Sequence, residues 1–495
     1  MVALLSAATA AVTPSPAVSA ANQLFIGGSW RDAADGGTFE LVDPATEQVV
    51  DRVARATPSD VDAALHAARS AFEVWRQTAA WERSAVLRRG AALLHERIEQ
   101  MAAVLTQEQG KPLAESRAEL TATAEQLDWH ADEARRIYGR VIDGHTRDVR
   151  ISVLRQPVGP VAAFTAWNFP ALLPMRKIAP ALAAGCSIVL KPAEEAPRTA
   201  LALGQALHDA GLPGGTLNIV TGDPGPIARQ LLASPVIRKV TLTGSIPVGR
   251  ELLRLAAANL TAASMELGGH APVLVMADAD LDAAAEAIVR GKFRNGGQVC
   301  ISPSRFYVHE RVAERVLELV VGHVERLLVG PGTDEAVQVG PLINRKRVDA
   351  VSELVDEAVS RGATVRVGGG RAPGPSRGYF YAPTILDGVS DEARMMREEP
   401  FGPVAPFTTF ASTDEALRRA NSVPYGLAGY VFTRDLRTAH VVAEELEVGM
   451  VGVNHLLLAT AEAPFGGVKQ SGFGREGGIE GIESYTVAKC VNVLL

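Results

Sequence analysis

From Val158 onward the chain repeats one pattern, and that pattern limits its fold more than any other feature. Short β-branched or aromatic runs ("VGPVAAFTAWNFP", "CSIVLKP", "TLNIVTG", "KVTLTGS") each end in Gly, Pro or Ser. They give way to Ala/Leu-rich stretches such as 198–210 and 248–259. Apolar strands alternating with helices build a parallel, doubly wound sheet, because a parallel neighbour is reached only through a long crossover. A second set follows in "APVLVM", "SRFYVH" and "ATVRVGG", with helical stretches at 281–290 and 311–327 between. The pattern predicts two α/β domains in sequence, changing over near 265–270. Upstream, apolar positions recur at three- and four-residue spacing through "VDAALHAARSAFEVW" and "SAVLRRGAALLHERIEQMAAVL", which predicts helices over 59–139.

A chain of 495 residues exceeds one simple core and agrees with that division. The net charge of −7, without a basic block, argues against a nucleic-acid partner. No apolar run is long enough to span a bilayer, so no membrane partner is expected. Three cysteines are too few for a disulfide framework and point to a reducing, cytoplasmic setting. No metal site is read. The first residues, "MVALLSAATAAVTPSPAVSA", lack the positive start of a secretory signal although they end in a cleavage-like V-S-A. Residues 1–22 are therefore read as a disordered extension, with an exported precursor as the alternative and order beginning near Leu24–Trp30.

Phosphate binding is hinted at rather than announced. The chain has no G-x-G-x-x-G opening a helix. "TGDPGPIARQLL" offers Gly222 and Gly225, and "LTGSIPVGRELL" offers Gly244, Ser245 and Gly249, each read as lying ahead of a helix. A strand, a glycine turn and a helix N-terminus can hold a phosphate, although ordinary strand ends look alike. In "VLKPAEEAP", Lys191 and Glu194 stand at the lip of a parallel strand, a place suited to ribose hydroxyls or to a plain solvated turn.

The stretch "FRNGGQVCIS" sets Cys300 behind two glycines, with Arg294 six residues upstream. Cys186 and Cys490 are read as core or interface thiols. Three further stretches place polar groups among apolar or rigid neighbours: Glu266 in "SMELGGHAP", Asn168 in "TAWNFP" and Glu399 in "EEPFGPV". A thiol nucleophile needs a base or positive surroundings, donors for the oxyanion its attack creates, and a base for the later attack of water. Asn168 with the Cys300 N–H, and Glu266, are candidates for the last two parts. Taken singly, a lone cysteine is more often core and a glutamate more often surface.

These motifs together resemble the NAD(P)-dependent aldehyde dehydrogenases, and most closely the succinate-semialdehyde dehydrogenase-like branch. The resemblance runs from "LFIGGSW" to the C-terminus through "WNFP", "LKPAEEAP", "TGS", "ELGG", "GGQVC", "EEPFGPV" and "APFGGVKQSGFGREGG". It implies a modified Rossmann cofactor domain over 23–146 and 160–266, an α/β catalytic domain over 267–470, and a small β oligomerisation ribbon from 147–159 and 482–495. It implies Cys300 as nucleophile, Glu266 as general base and Asn168 as oxyanion donor. Thr165, Trp167, Lys191, Glu194, Gly225, Gly244, Ser245, Leu267, Glu399 and Phe401 would meet the cofactor. Glu194 implies NAD over NADP, because its charge repels a 2′-phosphate. A homodimer or homotetramer is expected.

Arg176 and Arg294 match the arginines with which that branch holds a distal carboxylate, and Thr460 and Phe465 complete the implied substrate wall. A planar guanidinium suits a carboxylate. An ω-carboxylated semialdehyde such as succinate semialdehyde is thus the expected substrate. Two departures leave a hydrophobic aliphatic or aromatic aldehyde as the alternative. "NHLLLAT" has Ala459 and Thr460 where the branch offers a serine, and Ser302 stands where it often has a second cysteine. A CoA-acylating relative is disfavoured by Glu266. A catalytically silent homologue is disfavoured because Cys300, Glu266, Asn168 and Lys191 are all present.

Overall fold

A computed structural model describes residues 22–374 and 376–495, so the extension read over 1–22 lies, but for Asn22, outside the described residues. Two large sheets and one small one form the frame. In the first sheet five strands run parallel in the order Ala262–Leu267, Lys239–Gly244, Val161–Phe164, Ile188–Lys191, Leu217–Ile219. The chain lays down the 161, 188 and 217 strands toward one side, then crosses back to add the 239 and 262 strands on the other. The order reverses between Val161–Phe164 and Lys239–Gly244. Helices leave to opposite faces at such a point and open a crevice beyond the strand C-termini. The central strands are buried along their whole length, as expected of a sheet covered on both faces.

The edges of this sheet depart from a simple parallel order. The hairpin Leu24–Ile26 and Ser29–Arg31 pairs antiparallel at one edge. The short Gly472–Phe473 strand, from far down the chain, pairs antiparallel with Ala262–Leu267 at the other. That return carries the segment after Phe465 to the end of the strand bearing Glu266.

The second sheet holds six parallel strands, ordered Thr384–Asp387, Val404–Phe410, Pro303–His309, Ala271–Val275, Ala428–Phe432, Met450–Val453. Thr364–Val367, grouped by sequence with the buried strands of this set, pairs antiparallel at its edge instead, and its burial is low. Glu266 closes the last parallel strand of the first sheet, whereas Cys300 precedes a central strand of the second. The two residues thus come from the C-terminal rim of one sheet and the N-terminal rim of the other.

The third sheet pairs Val149–Pro157 with Thr486–Leu494 and also with Arg140–Asp143. The last strand corrects the sequence reading, which left 140–146 with the cofactor domain. Four exposed residues, separated from the last helix by 134–139, carry no burial pattern that alternation could reveal. The helical reading over 59–139 resolves into Pro58–Trp75, Ala80–Glu96, Ile98–Gln109 and Leu113–Glu133, with 134–139 outside any helix. Thr57 and Asp60 form a reciprocal capping box at the first of them. Left-handed Gly110 ends the third.

Two glycines were placed ahead of helices and lie inside them. Gly225 is in the first turn of Pro224–Ala233, and Gly249 is in Ile246–Ala256. Gly249 has a packing reason: a Cβ there would stand 2.8 Å from the Leu267 side chain. Cys186 is buried and donates to the Tyr485 carbonyl at 3.4 Å, while Cys490 is exposed on the third sheet. No described helix is long and apolar enough to cross a membrane. Among the described residues no group of three metal-ligating side chains is found.

Candidate active site

The helix Leu281–Phe293 stops where three consecutive residues turn left-handed, Asn295 (φ 50°), Gly296 (φ 59°) and Gly297 (φ 72°). Gly297 is required twice over, because any Cβ there would also collide with the Gly402 carbonyl. The turn is then fixed by buried amides. Asn295 Nδ2 donates to the Asn168 carbonyl at 2.9 Å, and Gln109 Nε2 donates to Asn295 Oδ1 at 2.9 Å. Gln298 Oε1 accepts the Ile343 N–H at 3.0 Å, and the Gln298 carbonyl accepts Asn168 Nδ2 at 3.0 Å. The Asn168 amide therefore faces the loop that delivers Cys300, with one N–H committed to that loop.

Cys300 keeps a partly exposed surface at this turn. Gly269 packs against it, since a Cβ there would lie 2.5 Å from the Cys300 carbonyl. Burial and then the Glu399 carboxylate push the thiol up to about 12, against the opposing charges of Arg176 and Arg294. The thiol is thus protonated at neutral pH in this state.

Glu266 is buried, and neither of its oxygens has a hydrogen-bond partner in the described structure. It lies against Gly466, where a Cβ would come within 2.9 Å of Oε1. Burial first, then the neighbouring Glu476, raises its pKa well above the carboxylate range, while Lys177 and Arg176 pull it down. Glu476 and Lys177 form a buried ion pair, and Lys177 Nζ also donates to Thr243 Oγ1 at 2.7 Å. Sequence reasoning passed over both residues. The available signal was a lysine beside Arg176 in a helix whose residues Leu173–Ala184 are all buried, a placement that demands a partner.

At the point where strand order reverses, a cleft of about 470 Å³ is lined by Thr165, Trp167, Lys191, Glu194, Gly225, Gly244 and Ser245 among others. Lys191 Nζ pairs with Glu194 Oε2 at 2.6 Å. Burial lowers the Lys191 pKa and Glu194 opposes this. Thr165 Oγ1 is buried without a partner. Ser245 is the N-cap of Ile246–Ala256, so backbone N–H groups open into the cleft. Leu267 is buried against Gly249 and does not line it. Phe401, left-handed at φ 44°, sets its ring edge-on to Trp167 at 5.5 Å. Glu399 Oε1 accepts the Gly269 N–H at 3.3 Å, and burial raises its carboxyl to about 8.

The structure sets three of the substrate residues, Arg176, Arg294 and Phe465, in or against one aromatic cluster. The Arg176 guanidinium lies 4.2 Å from the centre of the Phe465 ring, and that of Arg294 lies 5.1 Å from the centre of Phe169. Lys111 Nζ is 4.0 Å from the same Phe169 ring. Phe169, Cys300, Phe465, Leu456, Leu458 and Ala459 belong to one apolar cluster. Thr460 is exposed on its loop.

Residues 30–491 match the family described as "Aldehyde dehydrogenase family". The 4-(hydroxymethyl)benzenesulfonate dehydrogenase TsaD1 of Comamonas testosteroni is 45% identical over 467 residues, covering 94% of this chain and 97% of its own. The NADP(+)-designated succinate-semialdehyde dehydrogenase GabD of Escherichia coli is 43% identical over 467 residues, covering 94% of this chain and 96% of its own. A crystal structure of succinate-semialdehyde dehydrogenase from Burkholderia pseudomallei superposes with a TM-score of 0.94 at 43% identity, covering 96% of this chain and 98% of that one.

Proposed function

The chain belongs to the aldehyde dehydrogenase family, and from that premise we propose that it oxidises an aldehyde bearing a distal anion, such as succinate semialdehyde, to the carboxylic acid with NAD. One observation carries the substrate class. Arg176 and Arg294 lie over Phe465 and Phe169, two rings packed in the cluster that holds Cys300. A carboxylate reaching that cluster meets two cations backed by aromatic faces, in a setting where charge is poorly screened.

Cys300 Sγ bonds to the aldehyde carbon as its proton passes to Glu266 and, before water attacks, by way of the Glu476–Lys177 pair behind it to solvent; the carbonyl oxygen takes up the electron pair. The Asn168 amide faces that oxygen with its remaining N–H. The cleft suits a dinucleotide: it presents an unpartnered Thr165 hydroxyl, the Lys191–Glu194 pair for a ribose, and the backbone N–H groups after Ser245 for a phosphate. When bound, the nicotinamide supplies the hydride acceptor that turns the Cys300 adduct into a thioester. Glu266 then takes a proton from water as the water oxygen bonds to the thioester carbon. The C–S bond breaks, and the electron pair returns to Cys300 Sγ. Glu476, Lys177 and Thr243, set behind Glu266, offer its proton a buried way out.

The Glu194 carboxylate, anchored by Lys191, accepts from ribose hydroxyls and opposes a 2′-phosphate, which supports NAD. The relative GabD bears an NADP(+) designation, and the ratio of kcat/KM for NAD over NADP tests the preference. A second reading keeps the anion and changes the body of the substrate. Leu456, Leu458 and Ala459 make an apolar wall with Phe169 and Phe465, and TsaD1 is named for a benzenesulfonate. An aromatic aldehyde with a distal anion fits this wall. The assay follows NADH absorbance over aldehydes in which chain length, ring and terminal anion vary independently, with C300A as control. Equal turnover of aldehydes with and without the anion would refute the reading.

A further inference from the structure

The first two turns of the Leu113–Glu133 helix bring two carboxylates, Glu115 and Glu119, to the back of this site, and no step above uses them. Glu119 is fully committed. It pairs with Lys111 Nζ at 2.6 Å and accepts the Ala171 and Leu172 N–H groups at 2.8 and 3.1 Å. Glu115 is not. Its Oε2 accepts the Asn295 N–H at 2.8 Å, the first backbone donor after Arg294. Its carboxylate faces Lys111 from the preceding loop, Arg294 and the Asn295 N–H from the nucleophile turn, and Glu119 on its own helix. Lys111 already answers Glu119, donates to the Asn168 carbonyl at 2.8 Å and sits on Phe169. Arg294 makes no ion pair within 4 Å among the described residues, and Glu115 is a carboxylate that feels its charge.

We propose that Glu115 is a specificity-determining residue that tethers the Arg294–Asn295 segment through the Asn295 N–H and, by its own charge, sets how strongly Arg294 draws the substrate's distal anion. The inference rests on the anionic-substrate reading and deepens it. An ionised Glu115 competes with the incoming carboxylate for one guanidinium. A protonated Glu115 keeps the tether through its remaining oxygen lone pairs and leaves Arg294 uncompensated. Burial raises the Glu115 carboxyl to about 7, with Lys111 and Arg294 opposing. The anion is therefore held more tightly below that pH than above it, and its binding takes up a proton above it.

The experiment compares KM for succinate semialdehyde with KM for butanal, its uncharged four-carbon counterpart, across about pH 6 to 9. The ratio of the two cancels effects on Cys300 and Glu266 common to both substrates. In the native enzyme the ratio rises with pH through about 7. In E115Q, which keeps a carbonyl for the Asn295 N–H, it is about five-fold lower above pH 8 and nearly flat. E115D, which restores the charge, recovers the slope. An E115Q ratio and slope equal to the native ones would overturn the proposal, as would an E115D enzyme without the slope. A native enzyme that treats the two aldehydes alike, with R294A unchanged, would instead overturn the anionic-substrate reading and this inference with it.

Discussion

Arg176 and Lys177 are neighbours on one buried helix and serve opposite ends of the site. Adjacent residues on an α-helix diverge by about 100°. Arg176 therefore reaches the Phe465 ring on the substrate side, while Lys177 reaches Glu476 and Thr243 behind Glu266. One rigid element places both the cation proposed to meet a substrate anion and the cation paired with Glu476 near Glu266.

The Lys177–Glu476 pair is expected to act in thioester hydrolysis and not in hydride transfer. K177M should lower steady-state turnover by about a hundred-fold while retaining a rapid first-turnover burst of NADH. Stopped-flow absorbance separates the two phases. Loss of the burst together with turnover would place Lys177 in the earlier step.

Burial and Glu476 hold Glu266 above the ordinary carboxylate range. The base form grows as pH rises, so turnover should climb with pH above the ordinary carboxylate range, and E266Q should abolish that limb in the hydrolytic step. A pH profile of kcat in both enzymes checks this. An E266Q profile with the native limb would assign the titration to another group.

Gly297 combines a left-handed backbone with contact against the Gly402 carbonyl. G297A should displace the Cys300 turn, cost about 1–3 kcal/mol or more in stability and reduce activity with every aldehyde. Thermal unfolding and thiol-labelling rates report the two effects separately. A variant of native stability and activity would mean the turn tolerates a side chain.

Glu194 sets the cofactor preference in this account. E194S should shift the NADP-to-NAD ratio of kcat/KM upward by about ten-fold or more, as a repulsive charge is removed. A native enzyme that already favours NADP would contradict the assigned role.

Much of the fold was legible because its strands are buried on both faces. Such strands read as continuous apolar runs ending in Gly, Pro or Ser, and Val161–Phe164 and Ile188–Lys191 are of that kind. Arg140–Asp143 was missed because its pairing with Val149–Pro157 is exposed and leaves no apolar trace. Gly249 was misplaced because a glycine in a helix looks like a turn until the Leu267 side chain above it is seen. Within the site, contiguous motifs pointed to Cys300, Asn168 and Lys191. Lys177 carried only the signal of a lysine beside Arg176 in an otherwise apolar helix, and neither it nor Glu476 or Glu115 revealed its partner, because each partner comes from a segment distant in sequence.

The central claim, that Arg176 and Arg294 make this an enzyme for aldehydes with a distal anion, is tested most directly by the ratio of kcat/KM for succinate semialdehyde over butanal in the native enzyme, R176A and R294A. The account predicts a native ratio well above one that falls by about ten-fold or more in each variant, with the loss mainly in KM. A native ratio near one, or a ratio unchanged when both arginines are removed, would contradict it.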